Sequence, residues 1–164
     1  RRSEDGLYLG RVPLDMPVRE LRTSGTWWTL DAKARERAGV SASDLPGALH
    51  AAEHTSIGIL PLLATCDRWD LGGLSTVWHA DTQAATVIVH DAVPGGSGCS
   101  LHGFEHGRIW MEATLAALES CPCTDGCPRC VQSPKCGNNN EPLSKGGATK
   151  LLRVVVDGLR RARA

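Results

Sequence analysis

Hydrophobic and polar positions change their spacing several times along the chain, and each change marks an element. LYLGRVPLDMPVRE at 7–20 suits a short strand or extended lead-in, and GTWWTL at 25–30 a strand rich in aromatics. From Asp44 the period lengthens. Leu45, Leu49, Ala52, Leu60 and Leu63 fall near one helical stripe behind an Asp44 N-cap and a first-turn Pro46, predicting a helix over about 45–63, disturbed at Gly58 and Pro61. LSTVWH and ATVIVHD return to strand character and predict a hairpin through ADTQA, the second strand apolar enough to lie centrally. After the glycine-rich VPGGSG, the pattern of GRIWMEATLAALES at 107–120 predicts a helix with Ile109, Leu115 and Leu118 facing inward. A last helix over about 144–163 takes Ser144 as its cap and Leu143 as a staple, and turns Leu151, Leu152, Val155 and Leu159 to the core. The fold class that results is α+β, a small sheet packed with helices and a cysteine loop between the last two helices.

Composition narrows this. At 164 residues and 41% hydrophobic, the chain can build one core, or one core and a small module. No apolar run approaches the roughly 20 residues a bilayer demands, so no membrane partner is expected. The opening RRSEDG has neither an initiator Met nor a signal-like segment, as in a piece of a longer, cytoplasmic protein. Net charge is zero but uneven: residues 121–164 carry eight Lys/Arg against three Asp/Glu, and residues 1–120 carry ten against fifteen. The basic end suits contact with phosphates.

The stretch CPCTDGCPRCVQSPKC holds five of the seven cysteines in sixteen residues. Cys121, Cys123, Cys127 and Cys130 lie closest together, and such spacing suits a tetrahedral, structural Zn²⁺ with Zn–S near about 2.3 Å. Gly126 and Pro128 flank Cys127 as in zinc knuckles, where backbone N–H groups point at sulfur. Disulfides are the competing reading, disfavoured by the missing secretory signal; a redox Cys-x-x-Cys lacks its thioredoxin-like surroundings. Cys136 is a fifth candidate for four positions, a spare or a substitute. Cys66 and Cys99 stand alone and read as small buried hydrophobes.

Two further sets carry chemistry. His50-Ala-Ala-Glu53-His54 matches the H-x-x-E-H pattern of inverted zinc proteases, with Glu112 or Glu119 as a third ligand; the plainer reading is a helix face whose side chains pack, cap or contact a neighbour. Asp67, Asp70 and Asp91 are carboxylates suited to Mg²⁺ or to loop capping. Gly95, Gly96 and Gly98 make either a phosphate-receiving turn or a tight strand-to-helix connection.

Taken together, LHAAEH, CDRWDLGG, VIVHDAVPGGSG and CPCTDGCPRCVQSPKCGNNNEPLSKGGA resemble the C-terminal zinc-binding domain of the mitomycin repair factor A family of superfamily 2 DNA helicases. The resemblance covers roughly residues 45–150 and is most specific in the cysteine loop. It implies residues 1–44 as lead-in strands from the preceding helicase region and 45–164 as a zinc-binding accessory domain. It also implies four-cysteine ligation by Cys121, Cys123, Cys127 and Cys130, and a parent that uses ATP and Mg²⁺ to move on single-stranded DNA during DNA repair. The fragment has no G-x-x-x-x-G-K-[ST] loop and no Asp-Glu-x-His box, so it lacks the ATPase itself. The expected function is therefore an accessory domain helping to form the single-stranded DNA path beside the motor domains, in the cytoplasm or with a bacterial nucleoid; the alternative is a zinc-dependent hydrolase built on His50, Glu53 and His54. Arg129, Lys135, Lys145 and Lys150 are the candidate DNA contacts. Trp78 and Trp110 are expected to be buried and Trp69 exposed, available to stack on a base.

Overall fold

The computed structural model describes residues 17–162. The lead-in strand expected at 7–20 lies outside them up to residue 16, and its last four residues form neither helix nor strand. Three antiparallel strands come next: β1 (Gly25–Leu30), β2 (Leu71–His79) and β3 (Ala84–Asp91), in the order β1-β3-β2. The apolar β3 is central, as its sequence predicts. Ala85, Val87 and Val89 alternate toward the core and are at most 1% exposed. Across the other face the register aligns Trp27, Ile88 and Leu74 in one row.

Five helices complete the fold: α1 (Ala32–Ala38), α2 (Leu45–Ile59), α3 (Cys99–Glu105), α4 (Gly107–Ser120) and α5 (Lys145–Arg161). Helix α2 is the centre, packed on β2 and β3 on one side and on α4 and α5 on the other. Its approach to α5 depends on small residues: a Cβ on Gly147 would stand 2.6 Å from Cβ of Ala48. One core cluster joins Leu60, Leu71, Trp110, Met111, Leu118, Val131 and Leu152. A second joins Leu30, Ala34 and Ala38 to Leu45, Leu49, Val87 and Leu151, so β1 and α1 share a core with the chain beyond residue 45. Among the described residues, no helix is long and apolar enough to cross a membrane.

Helices form at the expected 45–63 and 107–120, the first passing into a short 3-10 turn at Leu60–Leu62; the last expected helix is observed over Lys145–Arg161, where Ser144 caps it by accepting from Gly147 N–H at 3.0 Å. Two side-chain expectations fail. Ile109 is 48% exposed and Trp78 60% exposed, the latter inside a β-bulge between Thr76 and His79 that takes it out of the strand's alternation. Trp110 is buried, donating its indole N–H to Ser56 O at 2.9 Å, and Trp69 is exposed. Two short helices, α1 and α3, have no counterpart in the periodicity.

Helix α3 is set by a distant cap. The carboxylate of Asp91, fully buried at the end of β3, accepts N–H groups of Ser97 at 2.7 Å, Gly98 at 2.8 Å and Ser100 at 2.8 Å. Gly95, Gly96 and Gly98 adopt positive φ to bend the chain around it. That turn is thus a strand-to-helix connection whose donors already hold an internal anion. Asp67 and Asp70 form a reciprocal capping box on the Arg68–Asp70 turn, so none of the three acids stands in a Mg²⁺ cluster.

Burial raises the Asp91 pKa, but the bonds from Ser100, Gly98 and Ser97 outweigh it and hold the carboxyl below its ordinary 3.8. A depressed folded pKa contributes stability that is complete above the unfolded value and lost as pH falls through the folded one. Asp91→Asn should therefore cost about 2 kcal/mol at pH 7. In urea melts the gap from wild type should stay constant down to about pH 5 and shrink below the ordinary value.

Candidate metal centre

The connection from α4 to α5, residues 121–144, contains the cysteine loop. Helix α4 delivers the chain to Cys121, and Gly126 reverses it with φ of +113°, where a Cβ would strike Val131. The reversal brings four sulfurs together. Sγ of Cys121 lies 3.5 Å from that of Cys123 and 3.6 Å from that of Cys127; Cys123 and Cys130 are 3.4 Å apart, and Cys127 and Cys130 3.8 Å. Tetrahedral zinc with bonds near 2.3 Å has sulfur–sulfur edges of roughly 3.8 Å, so the donor set fits that ion. Backbone N–H groups of Gly126 and Cys127 point at the sulfurs of Cys123 and Cys130, the latter at 3.4 Å. Both bonds favour thiolates.

Four thiolates packed this closely would repel one another without a cation between them. Burial, reinforced by the neighbouring sulfurs, pushes Cys130 up to about 12. Burial also raises Cys123, but hydrogen bonds from Cys130, Cys121, Cys127 and Gly126 draw it down to about 7. A divalent ion at the centre relieves this conflict and leaves about two negative charges on the cluster.

Buried donors from the helices grip the loop's backbone. Lys145, the first residue of α5 and 9% exposed, donates Nζ–H to Cys121 O at 2.6 Å and to Cys123 O. From α2, Thr55 donates to Cys130 O at 3.1 Å, and His54 Nδ1 lies 2.8 Å from Val131 O. Another α2 imidazole, His50, places Nδ1 2.9 Å from Pro142 O and Nε2 3.4 Å from Cys136 Sγ. Cys136 therefore stands apart from the four sulfurs, against α2.

The other residues singled out by sequence separate in space. Lys145 turns inward, and Lys135 donates to Arg68 O, Trp69 O and Leu71 O while its ammonium lies 5.2 Å from the Trp69 ring centroid. Burial lowers the Lys135 pKa. Arg129 and Lys150 are exposed. Glu112 and Glu119 are paired on the surface with Arg108, Arg160 and Arg153, and neither joins His50 and His54 in a ligand cluster. Cys66 and Cys99 meet, though distant in sequence; burial, then Cys99, push the Cys66 thiol up to about 12. Sequence reasoning also missed a second H-x-x-E-H, His102 to His106, on the surface of α3, with the two rings stacked at 4.1 Å.

The family profile described as the MrfA Zn-binding domain matches residues 52–131. The ATP-dependent helicase HRQ1 of Saccharomyces cerevisiae is 30% identical over 152 residues, covering 83% of this chain and 14% of that protein. The uncharacterized protein MJ1572.1 of Methanocaldococcus jannaschii is 34% identical over 111 residues, 66% of this chain and 99% of its own length. A crystal structure of the DUF1998 helicase MrfA bound to DNA superposes with a TM-score of 0.70 at 26% identity, covering 93% of this chain and 19% of that one. The chain thus spans less than a fifth of either helicase.

Lys145 is the most exacting test of how the loop is held. Lys145→Met removes two charged hydrogen bonds, each worth about 1.5–3 kcal/mol, from carbonyls that then lack a donor. A loss of about 3 kcal/mol is expected in urea melts. Lys150→Met, a few residues along the same helix and exposed, should change stability by less than about 0.5 kcal/mol.

Proposed function

The chain belongs to the MrfA zinc-binding domain family, and on that premise we propose that it is the zinc-stabilised accessory domain of an ATP-dependent DNA helicase acting in DNA repair. The observation that carries the reading is four sulfurs at tetrahedral-edge separations, at the end of the segment the family profile matches. In this reading Cys121, Cys123, Cys127 and Cys130 hold one structural Zn²⁺, which supplies folding energy and no chemistry. The accessory domain of this reading begins before residue 45, because β1 and α1 belong to its sheet and core, and the residues ahead of β1 lead into it. ATP and Mg²⁺ bind the motor domains of the longer parent, which works on DNA in the cytoplasm or nucleoid.

Exposed apolar side chains support a docked module. Trp27 and Leu74 flank Ile88 on the open sheet face, and Leu101 and Phe104 of α3 are 55% and 70% exposed. A patch of this kind marks an interaction surface, here with the motor. The Methanocaldococcus relative, matched almost end to end, favours a variant of the same reading in which the module is a separate polypeptide that docks on its motor.

Single-stranded DNA passes the basic end, with Arg129 and Lys150 as phosphate contacts, since Lys135 and Lys145 are engaged with backbone carbonyls. In the parent helicase, Arg129→Ala with Lys150→Ala should lower the slope of log affinity against log salt by roughly 1.4 for single-stranded DNA, with zinc content unchanged. An unchanged slope would move the DNA path elsewhere. For the metal itself, Cys123→Ser with Cys127→Ser should remove one zinc per chain and lower the melting temperature cooperatively. A melting curve unaffected by verified loss of that ion would make the zinc peripheral.

A further inference from the structure

We propose that His50, His54 and Cys136 form a second metal site, for a zinc-class divalent ion, separate from the four-sulfur centre. One ligand nitrogen from each imidazole and the Cys136 sulfur lie within 4.8 Å of one another. His50 Nε2 and Cys136 Sγ are 3.4 Å apart. A tetrahedral zinc with one Zn–N bond near 2.05 Å and one Zn–S bond near 2.3 Å has an N···S edge of roughly 3.5 Å, so this pair already stands at ligand separation.

Each donor is also oriented from behind. Both histidines come from one face of α2, a single turn apart, and both direct Nδ1 to a backbone carbonyl, Pro142 O at 2.9 Å and Val131 O at 2.8 Å. A carbonyl can only accept, so each Nδ1 carries a proton, and in the neutral imidazole it is Nε2 that offers the lone pair. This is the arrangement that metal-binding histidines show. Cys136 Sγ accepts the N–H of Asn140 at 3.2 Å, which orients the sulfur. The turn that delivers that N–H is held by Asn140, at φ of +60°, whose Oδ1 accepts from Ser133 N–H at 2.7 Å.

The three donors line a cavity of about 590 Å³, which supplies a solvent molecule as the fourth ligand. Glu53 also lines it, but its carboxylate lies against Gly73 of β2 and bonds to Ser75. The protein ligands are therefore two nitrogens and one sulfur. The four-sulfur centre fixes residues 121–130, whereas this second ion ties the remainder of the connection to α2.

The test counts metal in the full chain, expressed with zinc and dialysed under reducing conditions. Two zinc ions per chain are expected, falling to one in Cys136→Ser. Loading with Co²⁺ should give sulfur-to-cobalt absorption that drops by about one fifth in Cys136→Ser, one of five metal–sulfur bonds being lost. Zinc should also slow alkylation of Cys136 by iodoacetamide in the unmodified chain at least tenfold, a readout that needs no variant. His102→Ala with His106→Ala, which removes the stacked pair at the end of α3, should leave the count at two.

One ion in wild type and in Cys136→Ser alike, with Cys136 alkylated equally fast with and without zinc, would overturn the site and leave only a thiol–imidazole hydrogen bond. A second ion lost with the α3 pair would overturn it equally. If Cys123→Ser with Cys127→Ser keeps one ion that a further Cys136→Ser removes, the second site stands even if the count fails to show the four-sulfur centre.

Discussion

A connection of 24 residues without helix or strand joins α4 to α5, and the placement of both helices depends on its being fixed. Ordering that much backbone costs on the order of tens of kcal/mol. The apolar contribution within it is small: Val131 is fully buried and Leu143 partly so. A structural zinc, worth about 10–16 kcal/mol to the folded state, is of the scale needed. Four of the sulfur–sulfur separations, 3.4 to 3.8 Å, match the edges of a tetrahedral zinc site.

The cluster also explains a cation in an unfavourable place. Lys145 begins α5, where the helix dipole opposes positive charge and where an acidic residue is usual. Here it lies over Cys121 O and Cys123 O, carbonyls of two of the four sulfur-bearing residues. With zinc bound as proposed, a tetrathiolate with about two excess negative charges would reverse the local balance and stabilise the ammonium that braces it. Sequence counts Lys145 among the basic residues of the C-terminal third. Its neighbourhood makes it part of the loop's support.

Legibility tracked the range of the interaction. The central position of β3, the cap at Ser144 and the limits of α4 were legible because their signals lie within a few residues. Helix α3 was not, because its cap, Asp91, sits eight residues before Cys99 and bends back through three positive-φ glycines. Trp78 looked buried until the bulge before His79 broke the alternation. The four close cysteines were legible as a set. The partners of Cys136 were not, because His50 precedes it by 86 residues and only the packing of α2 brings the two together.

Helix α2 holds the two halves of the molecule in register. Twelve of its fifteen residues are buried, among them His50, Glu53, His54, Thr55 and Ser56. A buried polar helix is stable only if each of those groups finds a partner. The loop provides most of them as carbonyls: Pro142 for His50, Val131 for His54 and Cys130 for Thr55. The loop in turn needs donors, since its own backbone forms no ladder. Each segment satisfies the other's polar groups, and H-x-x-E-H at the centre of α2 is the sequence trace of that exchange. A protease reading of the same letters needs a third carboxylate ligand from α4, whose Glu112 and Glu119 are instead paired with arginines at the surface.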